Sequence, residues 1–217
     1  MRGAAAAALV LLAAALAGCG GQGAHGTATL WVTRDRGARV LLVRSVPAGE
    51  TAMQALDRSV KLKTRYGGRF VQAIDGIEGS LSARRDWFYF VNGIAPNRGA
   101  AEVRLRPGDV EWWDYRSWAD GKDVPVVVGA FPQPFVQSRR PAVVVGSGPV
   151  ARRLARLVHG RVAVSAPKDA NVLELVPGSA FTAGLDGGRV VFRLGAAAAP
   201  RLAADGALAR FRYEGLP

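Results

Sequence analysis

The 217-residue chain has one cysteine and two histidines. A lone cysteine excludes an intramolecular disulfide, and so few His and Cys exclude a zinc site built from several such ligands. Lysine is scarce: 4 of the 29 basic residues are Lys and 25 are Arg. Against 17 acids this leaves a net charge of +12. No Ser/His/Asp grouping, paired-carboxylate motif or nucleophilic cysteine stands out, so the expectation is that the chain is not an enzyme. Hydrophobic residues make up 49% and charged residues 21%. That balance fits neither a disordered chain nor a polytopic membrane protein.

What is present begins at the N-terminus. Met1-Arg2-Gly3 is a short positive segment, and Ala4 to Ala15 is an apolar run of 12 residues. A run of that length falls short of the ~20 residues a membrane-spanning helix needs. The pair reads as a signal peptide over residues 1–18. It ends in Leu16-Ala17-Gly18-Cys19, which resembles a bacterial lipobox. That likeness implies cleavage before Cys19 and lipidation of its thiol. Residues 19–26, rich in glycine, form a flexible tether. The expected location is the extracytoplasmic face of the cell membrane, lipid-anchored through Cys19.

The exported part divides by composition. Residues 27–130 carry all five Trp. Phe131-Pro132-Gln133-Pro134-Phe135 and Arg139-Arg140-Pro141 read as an extended Pro-rich linker over 131–140. Residues 141–217 lack Trp and are rich in Ala, Val, Leu and Arg. The expected fold class is α+β: a β-grasp-like domain, then a small α/β sandwich domain.

In the first domain, strand patterns at 27–33 and 39–46 flank a polar turn, Arg34 to Ala38. Thr51 is an N-cap candidate for a helix over 52–60, where Met53, Leu56 and Val60 share a face. Strands follow at 70–74, 87–91 and 110–118. Asn92-Gly93 and Pro107-Gly108-Asp109 supply turns. The order is β-β-α-β-β-β. In the second domain, Ala142 to Val145 is a buried-strand pattern. A helix follows over 150–159, with Pro149 at N1 and Gly160 at C′. A strand at 161–166 completes a parallel β-α-β unit, and 188–194 and 208–213 read as two more strands. Gly146-Ser147-Gly148-Pro149-Val150-Ala151 has the form of a dinucleotide fingerprint, but no acid ends the next strand, so no nucleotide cofactor is expected. The basic residues are dispersed, so nucleic acid is not an expected partner.

Alternation places Trp87, Tyr89 and Val91 on one face of their strand and Phe88 and Phe90 on the other. Trp112 and Asp114 likewise oppose Trp113 and Tyr115. A sheet covered by one helix needs a single apolar face. Here both faces are aromatic, so some rings must meet solvent, the second domain or a ligand. The candidate ligand contacts are Trp87, Tyr89, Trp112, Trp113, Tyr115 and Trp118 as stacking rings, with Asn92 and Asp114 as polar contacts. Arg98, Arg104 and Arg106 are candidates for gripping a phosphate, against the plainer reading that they keep a strand edge soluble.

Three pieces occur in order: Pro47-Ala48-Gly49-Glu50-Thr51 opening the helix, Trp87 to Val91 ending in Asn92-Gly93, and Gly108-Asp109 opening Val110 to Tyr115. This set resembles the family of transcobalamin-like C-terminal domains over roughly residues 27–118. The resemblance implies the β-grasp-like fold and a cell-surface role. The expected function is capture of a small amphipathic ligand and its delivery to a vitamin-uptake transporter; the resemblance implies cobalamin or another corrinoid as that transported ligand, not a cofactor. The alternative is an envelope module docking a protein or wall polymer through the same surface.

Overall fold

The computed structural model describes residues 26–119, 121 and 123–217. The expected leader, Cys19 and most of the tether lie outside the described residues. The architecture is α+β, with mixed β-sheets and few helices.

β1 (Thr27–Arg34) and β2 (Arg39–Pro47) pair antiparallel. Their connection turns through Asp35, Arg36 and Gly37, all at positive φ. Thr51 caps α1 (Ala52–Asp57) in a capping box: its hydroxyl accepts from the Gln54 amide, and the Gln54 side chain accepts from the Thr51 amide. α1 buries Met53 and Leu56 as expected but stops at Asp57 rather than Val60. The Ser59 amide turns back to the Leu56 carbonyl, and its hydroxyl takes the Ala55 carbonyl, which closes the helix.

β3 (Leu62–Arg65), β4 (Phe70–Ile74) and β5 (Ile77–Glu78) form a separate antiparallel three-stranded sheet. β3 has no apolar alternation, and its pairing with β4 makes it a strand. β6 (Arg85–Val91) and β7 (Val110–Ser117) join the first hairpin in a sheet of order β2-β1-β7-β6. The two central strands, β1 and β7, run parallel; the outer pairings are antiparallel. The inner face packs Leu30, Val32, Trp87, Trp113 and Tyr115 against α1.

The stretch 131–140, expected to be an extended linker, is not extended. It carries α2 (Gln133–Val136), and Phe131 and Phe135 are buried in the core of the second half. Phe135 stands edge-on to Phe192 at 5.0 Å. Proline here starts the helix instead of preventing it.

β8 (Ala142–Val145), α3 (Gly148–Leu157), β9 (Arg161–Ala163), β10 (Asn171–Val176), β11 (Phe181–Asp186), β12 (Arg189–Gly195) and α4 (Ala199–Ala204) follow. The sheet order is β11-β12-β10-β8-β9. β8 and β9 are parallel, as the β-α-β reading required, and only β11 runs against its neighbour. α3 and α4 pack Leu154 and Leu202 onto one face with Val144, Leu173 and Phe192. At the end of α3, His159 rather than Gly160 takes the left-handed conformation, at φ 51°. Gly160 is needed for another reason: a Cβ there would lie 2.4 Å from the Ala142 carbonyl oxygen. The expected strand over 208–213 is absent. A 3-10 turn (Gly206–Ala209) and an irregular tail replace it, because Phe211 and Tyr213 leave the second half and pack on the first sheet.

Candidate functional site

The outer face of the first sheet presents Trp31, Phe90 and Trp112. Val127, Ala130 and Tyr213 cover it, with Phe211 packed beside them. Trp112 meets Trp31 at 5.8 Å and Tyr213 at 5.6 Å, both edge-on. On the inner face Tyr89 stacks on Trp113 at 4.9 Å, and Trp87 tilts against Tyr115 at 5.3 Å. The alternation read from the sequence therefore holds, and of the three fates open to the surplus aromatic face, contact with the second half of the chain is the one found. Trp87, Trp112, Trp113 and Tyr115 are buried and do not form an open stacking surface. Covering both faces of the sheet removed the exposure that reading required.

The polar candidates are committed to the fold. Asp114, buried in this layer, accepts from Thr33 Oγ1 at 2.6 Å, from the amides of Arg36 and Gly37 at 3.1 Å each, and from Tyr213 Oη at 3.0 Å. Trp112 Nε1 donates to Thr33 Oγ1 at 2.7 Å. Burial, together with the Asp114 charge, pushes the Tyr213 phenol well above its ordinary range. Asn92 closes its turn by donating to Asp109 Oδ1 at 2.7 Å and accepting from the Val110 amide at 2.8 Å. Trp118 is half-buried, and its amide donates to the Arg84 carbonyl.

Glu111 is a buried acid the sequence did not flag. It faces the inner core beside Trp113, whose indole N–H donates to Oε1, while Oε2 has no hydrogen-bond partner among the described residues. Burial pushes its pKa up to about 8, so the carboxyl is neutral at pH 7. Burial also raises Tyr89 to about 12, with a smaller push from Glu111.

Three clefts open around β6. One, of about 310 Å³, is lined by Phe88, Tyr89, Arg116 and Asp123, among others; the Arg116 guanidinium sits 3.8 Å over the Phe88 ring. A second, of about 260 Å³, lies beside α2 and includes Asn92. The third, of about 240 Å³, lies between the β3–β4 hairpin and the segment leading into β6, lined by Arg65, Tyr66, Phe70, Gln72, Leu81 and Asp86. Here exposed apolar side chains gather: Tyr66 is 79%, Leu81 83% and Phe70 42% exposed. Tyr66 and Phe70 meet edge-on at 6.3 Å. A Cβ at Gly79 would lie 2.5 Å from Asp86 Oδ1 and would push that carboxylate aside. Sequence reasoning missed these residues. The available signal was Tyr66 directly before Gly67-Gly68, an aromatic at a hairpin tip where no core is within reach.

Among the described residues no group of three or more His, Cys, Asp or Glu is placed to hold a metal. No described helix is long and apolar enough to cross a membrane.

The family model described as a domain of unknown function, DUF4430, matches residues 49–117. No curated protein matches the chain. A solved structure of a Ruminococcus gnavus protein, named for a suggested metal-binding role, shares 16% identity over 42% of this chain and 97% of its own, with a TM-score of 0.35. Haptocorrin in complex with Cbi shares 15% identity over 42% of this chain and 24% of its own, also with a TM-score of 0.35. The matched part is thus about a quarter of the haptocorrin chain, and neither likeness is strong enough to transfer a function.

Proposed function

We propose that the chain is a lipid-anchored envelope protein that binds a small amphipathic ligand in the cleft of Tyr66, Phe70 and Leu81. The observation that carries the reading is the convergence of these exposed apolar side chains on one concavity with Arg65 and Asp86 on its lining. Exposed aromatic rings cost solvation unless something covers them, and a ring face with charged groups nearby suits a ligand with an apolar plane and polar edges. At about 240 Å³ the cleft is below the usual ~300–1,000 Å³ of an enclosing site. A ligand as large as a corrinoid would therefore rest an edge in it rather than be swallowed.

The corrinoid assignment rests on the ordered motifs at 47–56, 87–94 and 105–115. The strand order β2-β1-β7-β6, with its parallel central pair and α1 on the inner face, supports the β-grasp-like reading. The four- and five-stranded sheets with separate helical layers support a first domain over 27–130 and a second over 141–217, with Val126, Val128, Phe131 and Phe135 packed into the second core. In this reading Cys19 holds the protein at the extracytoplasmic face, and the ligand passes to a vitamin-uptake transporter without chemistry. A protein-docking role is the second reading. It is favoured by the exposed Val40, Leu41 and Val43 on edge strand β2.

Calorimetric titration with cobalamin tests the first reading, using the chain from Gly20 to Pro217, which keeps all three sheets. Binding tighter than ~100 μM (about −5.5 kcal/mol) is expected, weakened at least tenfold by a Tyr66→Ala, Leu81→Ala double variant. Absence of heat at that concentration leaves the docking reading.

A further inference from the structure

The cleft beside α2 has a different chemistry from the aromatic one. Val91, Ile94, Val103 and Pro134 supply its apolar lining, and Arg98 and Arg106 are its charged members; no acid lines it. The two arginines are not equivalent. Arg106 donates to the Gln137 carbonyl at 2.7 Å and lies 3.6 Å from Asp109 Oδ1, so its charge is already met. Asp109 itself is buried and accepts from Asn92 and from the Arg106 amide. Arg98 is exposed and makes no ion pair among the described residues. One uncompensated positive charge stands at an apolar concavity.

The cleft is also held open before any ligand arrives. The Ala95 amide bonds the Pro125 carbonyl at 2.9 Å, Val91 and Ile94 exchange backbone bonds of 2.9 and 3.0 Å, and the Tyr89 hydroxyl ties down the Arg98 carbonyl. On the far wall α2 is seated by Phe135 in the second core. A preformed cleft spares a ligand the cost of ordering it.

We propose that this cleft binds an apolar monocarboxylate, its carboxylate on Arg98 and its hydrocarbon against Val91, Ile94, Val103 and Pro134. The sign follows from the lining, which has arginine and no acid, so an amine is disfavoured. The single charge follows from Arg106 being already paired: a phosphate dianion would meet only one free guanidinium. The size follows from the volume. About 260 Å³ falls below the ~300–1,000 Å³ of sites for drug-sized ligands, which suits a short-chain ligand. This site is separate from the cleft of Tyr66 and Phe70, and either can fail without the other.

The test uses hexanoate, with hexanol and hexylamine as neutral and cationic controls and hexyl phosphate as the dianion. Amide shifts of the Gly20–Pro217 chain are followed by NMR at constant ionic strength. Hexanoate is expected to shift amides at 91–98 and 133–138, with a Kd of ~1 mM or tighter, and to bind at least tenfold tighter than hexanol. Arg98→Gln should weaken hexanoate at least tenfold while Arg98→Lys retains it within about threefold; Arg98 is exposed, so both variants should fold. Equal binding of hexanol, tighter binding of hexyl phosphate, an unaffected Arg98→Gln variant, or shifts confined to other parts of the chain would each overturn the proposal.

Discussion

Asp114 on β7 and Tyr213, four residues from the C-terminus, are 99 positions apart in the chain and hydrogen-bonded at 3.0 Å. This bond ties the tail to the first sheet. Asp114→Ala would leave the Thr33 hydroxyl, two backbone amides and the Tyr213 phenol without their acceptor. A loss of about 3 kcal/mol or more is expected, against about 1 kcal/mol for Tyr213→Phe. Urea unfolding checks both, and equal losses for the two variants would contradict the network.

Gly37 and Gly129 make room for the tail. A Cβ at Gly37 would lie 1.7 Å from the Phe211 carbonyl oxygen, and one at Gly129 2.5 Å from the Arg212 carbonyl oxygen and 2.8 Å from the Trp112 ring. Gly37 also sits at φ +80°, where a side chain adds strain. Alanine at either site should cost about 2 kcal/mol or more. Gly99, with nothing within 4 Å of its Cβ position, should accept alanine within ~0.5 kcal/mol. The three melting temperatures decide the matter.

Glu111 gives the fold a pH dependence of known sign. Its pKa is raised by burial from 4.5 to about 8 in the folded chain. Its contribution to stability is therefore fully present below pH ~4.5, falls as the unfolded chain ionises, and is exhausted once pH passes ~8. Between pH 5 and 8 the loss from this one group is on the order of 4 kcal/mol. Glu111→Gln, which keeps the shape without the charge, should gain on the native chain by a comparable margin over that interval. Parallel unfolding curves for the two proteins from pH 5 to pH 8 would refute the assignment.

Cys19 is tested in cells. Cys19→Ala should move the protein out of the membrane fraction or leave it unprocessed, readable by fractionation and by a change in apparent mass. An unchanged membrane fraction would remove lipidation from the account.

Most elements of the first half were legible because strand alternation and turn chemistry are local. Asn92-Gly93 takes positive φ at both positions, and Thr51 caps α1 through Gln54. β3 was not legible, since Leu62-Lys63-Thr64-Arg65 becomes a strand only through β4. The end of the chain misled for a related reason. Leu208 to Tyr213 has the composition of a strand, but Phe211 and Tyr213 are spent on Trp31, Phe90 and Trp112. The candidate site was read from aromatic density. That marked a doubly covered core, while the exposed rings sit on a hairpin tip of ordinary composition. Burial of a sheet's second face depends on contacts distant in sequence, and periodicity carries no record of them.

The tail clamp also fixes an order of events. Synthesis delivers residue 31 long before residue 213. Until Tyr213 emerges, Trp31, Phe90 and Trp112 have lost part of the layer that covers them. The outer face of the first sheet is therefore fully covered only after residue 213 is made. Until Tyr213 arrives the nascent chain exposes part of this aromatic layer, the kind of apolar surface that favours aggregation during folding.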